Sequence, residues 1–396
     1  MKEALKTKEF NRKLDQRLIG KIEAGKGPTV IFTAGIHGNE PSGVFALQDV
    51  LSEISGSPDI ISGNVYALAG NLSALRQGKR YNERDLNRIW TRDRIKRLEN
   101  SAEPDSVVMD IREQYELHTE IKSIIQGKEG PFFFIDLHTT SSHTIPFLTI
   151  NDTMINRKFA LKFPIPVILG IEEYLNGPLL SYINELGYVA CGFEAGQHEE
   201  HISYRNQISY IYLVLEACGI LADGDEITMH KQAIASQTKG RHDFFEISEY
   251  YRIKDGEEFI MKPGFSNFQR IPRNTLLATS NGKELYSEKK GLIFMPLYQK
   301  QGEDGYFLIR RVSAFALWLS ALLRKIRFDH VLTWLPGVSW LSEEKDRMRV
   351  DLRVARFLAQ DLFHLLGYRT KQRGKDYLII TNRERASRTD EYRGWL

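Results

Sequence analysis

Thr33-Ala-Gly-Ile-His37-Gly-Asn-Glu40-Pro-Ser-Gly43 is a small-residue turn carrying a His-x-x-Glu pair, set between the apolar run Pro28-Thr-Val-Ile-Phe32 and a helical pattern that begins at Ser42. A short apolar run bounded by a turn reads as a buried strand, and Pro41 suits the first position of a helix. Both polar side chains then lie at the carboxyl end of a strand, where open α/β sheets bind ligands. Neutral imidazole and carboxylate are zinc ligands, and a catalytic zinc takes three protein ligands with a fourth position open to water. A third ligand must come from elsewhere in the chain.

Working outward, apolar runs and helical patterns keep alternating, which predicts an α/β domain. Strands are expected at 28–35, 64–69, 132–137, 147–150, 167–170 and 188–193. Helices are expected at 42–54, 107–125, 179–186 and 205–221. The texture changes after Gly224. From Phe244 to Arg310 short alternating runs are broken by Lys254-Asp-Gly256, Lys262-Pro-Gly264, Ser280-Asn-Gly282 and Glu303-Asp-Gly305, the spacing of an antiparallel β domain. The apolar stretch Phe315–Leu323 predicts a packed helix closing it, too short to span a bilayer. Beyond Asp329, a helix over 350–366 and a hairpin over 368–381 around Arg373-Gly374-Lys375 are expected. The expected division is 1–224, 225–328 and 329–396. The fold class is α/β: a mixed, mostly parallel sheet flanked by helices, a second antiparallel β domain and a small α+β tail.

With 396 residues, 42% hydrophobic and 27% charged, the chain has the composition of an ordinary globular protein. A net charge of +3 selects no partner. The tail from Leu341 carries 13 Lys and Arg against 9 Asp and Glu, and a solvated face on a small packing unit is preferred there over a nucleic-acid module. Two cysteines make neither a zinc framework nor a disulfide scaffold, and the charged Met1–Lys8 shows no secretory signal, so a cytoplasmic location is expected. No membrane or nucleic-acid partner is expected, and a homo-oligomer is compatible with the sequence.

Three further stretches carry chemistry. Phe132-Phe-Phe-Ile-Asp136-Leu-His138 is an apolar run ending in Asp-x-His, and alternation puts both polar residues on one face at the sheet end proposed for His37 and Glu40. His138 is the expected third ligand. Asp136 either orients an imidazole or bonds the following turn. Lys79-Arg80-Tyr-Asn-Glu-Arg84-Asp85-Leu-Asn87-Arg88 supplies planar guanidinium forks suited to a carboxylate or a developing oxyanion. Gly192-Phe193-Glu194-Ala-Gly196 places a carboxylate after another apolar run, where it could take and return a proton. His198-Glu-Glu-His201 reads as an exposed polar run, His143 as a loop or pocket residue, and Cys191 as buried and inert.

Together, His37-Gly-Asn-Glu40, Arg80-Tyr-x-x-x-Asp-Leu-Asn87-Arg88, Asp136-Leu-His138 and Glu194-x-Gly resemble the aspartoacylase and succinylglutamate desuccinylase family, a branch of the zinc carboxypeptidase superfamily. The match covers roughly residues 28 to 200. It implies a zinc carboxypeptidase-like fold and one Zn2+ held by His37, Glu40 and His138. It further implies Arg80 at the oxyanion, Asn87 and Arg88 on the α-carboxylate, Glu194 as the group activating water, and Tyr306 as a substrate-binding residue lent by the β region. The implied activity is zinc-dependent hydrolysis of an N-acyl amino acid. A carboxypeptidase acting on peptides is the alternative within that chemistry, and a decayed metal-holding binding module the alternative outside it. The family's aspartoacylases carry an arginine shortly before the glutamate, whereas Glu172 to Phe193 contain neither Arg nor Lys. N-acetylaspartate is therefore not the expected substrate.

Overall fold

The computed structural model describes residues 16–396 except 58, 101–106, 335, 344, 355–359 and 375. The Met1–Lys8 segment and the middle of the helix expected over 350–366 lie outside the described residues. Eighteen strands are described: β1 (Leu18–Glu23), β2 (Thr29–Ala34), β3 (Asn64–Ala69), β4 (Phe132–Thr140), β5 (Phe147–Ile150), β6 (Val167–Leu169), β7 (Val189–Gln197), β8 (Phe244–Arg252), β9 (Phe259–Met261), β10 (Gln269–Ile271), β11 (Leu276–Ser280), β12 (Lys283–Tyr286), β13 (Gly291–Phe294), β14 (Asp304–Arg311), β15 (Val338–Trp340), β16 (Arg347–Asp351), β17 (Tyr368–Arg373) and β18 (Tyr377–Asn382).

The six strands read from the first half are all present. β3, β2, β4 and β7 run parallel at the centre of an eleven-stranded sheet ordered β1-β3-β2-β4-β7-β5-β6-β8-β14-β13-β10. Strands this continuously apolar form because both faces are covered. Val30, Phe32 and Ala34 pack with Phe133 and Ile135 against the helices Ser42–Ile54 and His201–Ala217. Ile31 and Phe134 face the helices Met109–Gly127 and Leu179–Glu185 on the other side. The observed fold is the expected α/β class. β1 was not legible, because Leu-Ile-Gly-Lys-Ile-Glu lacks a clean alternation and its register shifts between Leu18 and Gly20.

The turn-rich region extends this sheet. β6 pairs in parallel with β8, and β14, β13 and β10 follow antiparallel. A separate antiparallel sheet, β12-β11-β9, lies alongside. The expected Asn-Gly turn closes β11 on β12, with Asn281 and Gly282 at φ 48° and 75°. A two-residue hairpin of this hand needs positive φ at both central positions, which Asn and Gly tolerate.

The tail forms a four-stranded antiparallel sheet, β15-β16-β18-β17, with the expected hairpin as β17 and β18. The helix expected over 350–366 is corrected at its start: Arg347–Asp351 is a strand, and the described helix is Gln360–Leu365. Arg-Met-Arg-Val-Asp alternates with period two, and Met348 and Val350 are fully buried on the inner face.

The tail's basic residues are not all on a solvated face. Arg369 of the tail converges with Arg157 and Arg324 of the preceding chain on the buried Asp152, Arg324 and Arg369 at 2.8 and 2.6 Å. Glu384 accepts from the Met154 N–H that opens the helix Met154–Ala160, and also faces Arg324. Burial alone would raise the Asp152 carboxyl, but the three guanidinium groups hold it well below the usual range. Removing one member of such a network strands charge away from water, at roughly 3–5 kcal/mol. Asp152→Ala is therefore expected to lower unfolding free energy by about that amount in urea titration; a loss below about 1 kcal/mol would show that the network does not anchor the tail.

Candidate active site

Sheet register builds the site. His138 and Glu194 are directly paired on the parallel strands β4 and β7, so their side chains stand side by side on one face. Thr33 is paired with Asp136 across β2 and β4, and the Thr33 hydroxyl donates to Asp136 Oδ1 at 2.7 Å. His37 and Glu40 follow β2 in the turn before Pro41, at the same carboxyl edge. Close approach of that turn to its neighbour needs Gly38, where a Cβ would lie 2.1 Å from the Ala74 carbonyl carbon.

Possible ligand atoms of His37, Glu40 and His138 all lie within 4.8 Å of one another, and all three residues are buried. The Glu40 carboxylate sits between the imidazoles: His37 Nδ1 is 2.9 Å from Oε1 and His138 Nδ1 is 3.0 Å from Oε2. Each ring's far nitrogen meets a second carboxylate. His37 Nε2 is 3.1 Å from Asp85, and His138 Nε2 is 2.7 Å from Asp136. With Nε2–H donating outward, both Nδ1 atoms face a carboxylate oxygen, a contact that needs a shared proton or a shared cation. This donor set suits a divalent metal with nitrogen and oxygen ligands. Burial would raise Glu40 and lower His138, yet His37 and then His138 hold the Glu40 carboxyl well below its ordinary range, while Asp136 and then Glu40 hold His138 well above its own.

The same cleft, about 120 Å3 in volume, is lined by Arg80, Asn87, Arg88 and Glu194. Arg80 reaches Asp85 at 3.1 Å and Glu40 at 3.6 Å. Arg88 pairs with Asp304 of β14 at 2.6 Å, and the Tyr250 hydroxyl donates to the other Asp304 oxygen. Asn87 accepts the Leu179 N–H through its carboxamide oxygen, so its NH2 group is what it can offer a ligand. Glu194 Oε2 is buried without a hydrogen-bond partner among the described residues. Burial pushes the Glu194 carboxyl up to about 8, with His138 pulling the other way.

Tyr306 is not brought to this cleft. It is 3% exposed, stacks on Tyr251 at 5.6 Å and has its hydroxyl 3.4 Å from Glu249. Alternation along β14 turns its neighbour Phe307 into the cleft instead. His198, expected to be exposed, lines the cleft, where Thr139 and Gln299 hold its two nitrogens at 2.8 and 3.2 Å. His143 is exposed and paired with Glu200. Asp85, Asp304 and Gln299 carried no signal of their own; only Asp85 lies inside a stretch singled out for its charge.

Residues 26–218 match the family model of the succinylglutamate desuccinylase/aspartoacylase catalytic domain. Succinylglutamate desuccinylase of Photorhabdus laumondii is 32% identical over 111 residues, which is 24% of this chain and 34% of the relative. That of Chromobacterium violaceum is 25% identical over 133 residues, 31% of this chain and 39% of the relative. The chain thus spans about a third of the length of these curated relatives. Among solved structures, a succinylglutamate desuccinylase/aspartoacylase from Rhodobacter sphaeroides aligns at TM-score 0.54 and 16% identity, covering 74% of this chain and 88% of that one. The Chromobacterium violaceum desuccinylase aligns at TM-score 0.52 and 17% identity, covering 73% and 86%. These two likenesses show a shared fold.

The raised Glu194 carboxyl has a stability consequence in metal-free protein. Folded, it keeps its proton to about pH 8, and unfolded it releases it near 4.5. The native state therefore loses relative stability as pH rises through that window, by an amount on the order of a few kcal/mol. Glu194→Gln, which cannot ionise, is expected to gain stability over the parent from pH 5 to 8, with no difference at pH 4. Melting temperatures of the two metal-free proteins across that range check it; a gap that does not widen with pH would contradict it.

Proposed function

We propose that the chain is a zinc-dependent amidohydrolase that cleaves the amide bond of an N-acyl amino acid, releasing a carboxylate and a free amino acid. One observation carries this: His37, Glu40 and His138 meet in the cleft that also holds Glu194, in register with His138, and Arg80. In this reading the three residues hold one Zn2+, which when bound supplies Lewis-acid polarisation and acidifies water. Asp85 and Asp136 keep both imidazoles turned so that Nδ1 faces the centre.

Glu194 is the proton carrier. A carboxylate without a fixed hydrogen-bond partner is free to accept the proton of an attacking water and hand it to the leaving amine. Arg80 stands against Glu40 and presents its fork to the oxyanion that develops at the scissile carbonyl. Asn87 and Arg88 take the α-carboxylate. Asp304 orients the Arg88 guanidinium and keeps it charged in a buried setting, where burial alone would weaken it. The match of residues 26–218 to the succinylglutamate desuccinylase/aspartoacylase model supports the same reaction class.

Glu194→Gln is expected to keep about one zinc per chain by elemental analysis while kcat falls by roughly 10²–10⁴. His138→Ala is expected to lose the metal. Full turnover by the glutamine variant, or undiminished zinc in the alanine variant, would remove the mechanism. Because Tyr306 is packed away from the cleft, Tyr306→Phe should leave kcat/KM within about twofold of the parent, since no contact to a reacting group is lost.

A further inference from the structure

One wall of the cleft carries a carboxylate that the hydrolysis does not use. Glu172 lies in the turn Ile171–Glu173 just after β6 and lines the cleft beside Ile150, Asn151, Ile171 and Leu175. Its side chain is 1% exposed. Oε1 accepts the Asp152 N–H at 3.4 Å and faces two arginines of the tail, Arg383 at 3.6 Å and Arg369 at 3.8 Å. Oε2 has no hydrogen-bond partner among the described residues. A buried carboxylate oxygen left without a donor is costly, so this position is incomplete as it stands.

The surrounding charge shows what would complete it. Arg369 and Arg383 stop behind Glu172 and do not line the cleft; among the described lining residues the only guanidinium groups are Arg80 and Arg88, and both already face carboxylates. A ligand reaching this wall therefore meets a carboxylate, with the cations one residue further back. A second carboxylate on the ligand would be repelled here, and an N–H would be accepted.

We propose that Glu172 forms a specificity subsite for an N–H-bearing end group, ammonium or amide, on the N-acyl amino acid, with Arg369 and Arg383 of the tail as its positioning residues. This rests on the amidohydrolase reading above. A site built to accept a substrate N–H discriminates against analogues lacking it, because its buried oxygen then stays unpaired.

The test uses the zinc-loaded full chain. Nα-acetyl-lysine and Nα-acetyl-ornithine form the ammonium arm, Nα-acetyl-glutamine the amide arm, Nα-acetyl-glutamate and N-succinyl-glutamate the dicarboxylate arm, and N-acetyl-alanine the reference. At least one N–H-bearing arm is expected to exceed the dicarboxylates in kcat/KM by about tenfold or more. Glu172→Leu should collapse that ratio, and Glu172→Gln should weaken the ammonium arm more than the amide arm. Arg383→Gln should raise KM for the N–H-bearing substrates with kcat little changed, a split that general loss of folding would not produce. Dicarboxylates turned over fastest, or ratios unmoved by Glu172→Leu, overturn the subsite and leave the hydrolase reading standing. If no N-acyl amino acid is hydrolysed, that reading fails. Calorimetry with free lysine, glutamine and glutamate then decides the subsite alone: tighter binding of an N–H-bearing acid, abolished in Glu172→Leu, supports it, and equal binding overturns it.

Discussion

The structure turns on one carboxylate held between two imidazoles. Glu40 receives His37 from its own turn and His138 from the adjacent strand, while Asp85 and Asp136 fix the outer edges of both rings. Five ionisable side chains in so small a volume are tolerable only because each negative group meets a positive or potentially positive one. The strands exist to bring them together. β2 and β4 are parallel and in register, so His37 and Glu40 just after β2 arrive at the level of Asp136 and His138 near the carboxyl end of β4, without any side chain having to reach far. Thr33 ties the two strands together at that level through Asp136.

Much of this was legible because it follows from short-range pattern. Apolar runs of five or six residues fixed the central strands, and the period of two placed Asp136 and His138 on a common face. What was not legible depended on long-range pairing. Asp304 meets Arg88 across 216 residues, and Gln299 bonds Asn39 across 260. Tyr306 departs for a related reason: its neighbours Asp304 and Phe307 line the cleft, but one step along a strand reverses the face, and sequence alone did not fix which of Tyr306 and Phe307 turns inward. His198 looked exposed because it opens a polar run, yet β7 delivers its backbone to the cleft edge before that run begins.

The tail shows how composition misleads when it is read as surface. Its surplus of basic residues suggested a solvated face, but Arg369 and Arg383 are 6% exposed and sit against carboxylates of the α/β body. Tyr392 reinforces the attachment from the other end of the sheet, where its hydroxyl accepts the Val189 N–H and donates to the Phe132 carbonyl, bridging the starts of β7 and β4. The strands that carry Glu194 and His138 are thus held at their far ends by one residue, 203 and 260 positions later in the chain.

Because β6 hands the sheet on to β8 without a break, the two banks of the cleft, His138 and Glu194 on one side and Asp304 and Phe307 on the other, grow from a single sheet. The banks are thus joined by strand pairing and not by a hinge between two lobes. The connection from Met295 to Glu303 adds Leu297, Gln299 and Gly302 to the lining between those banks. Gln299 pins that connection to the α/β body, since its carboxamide oxygen meets both the Asn39 amide and His198 Nε2.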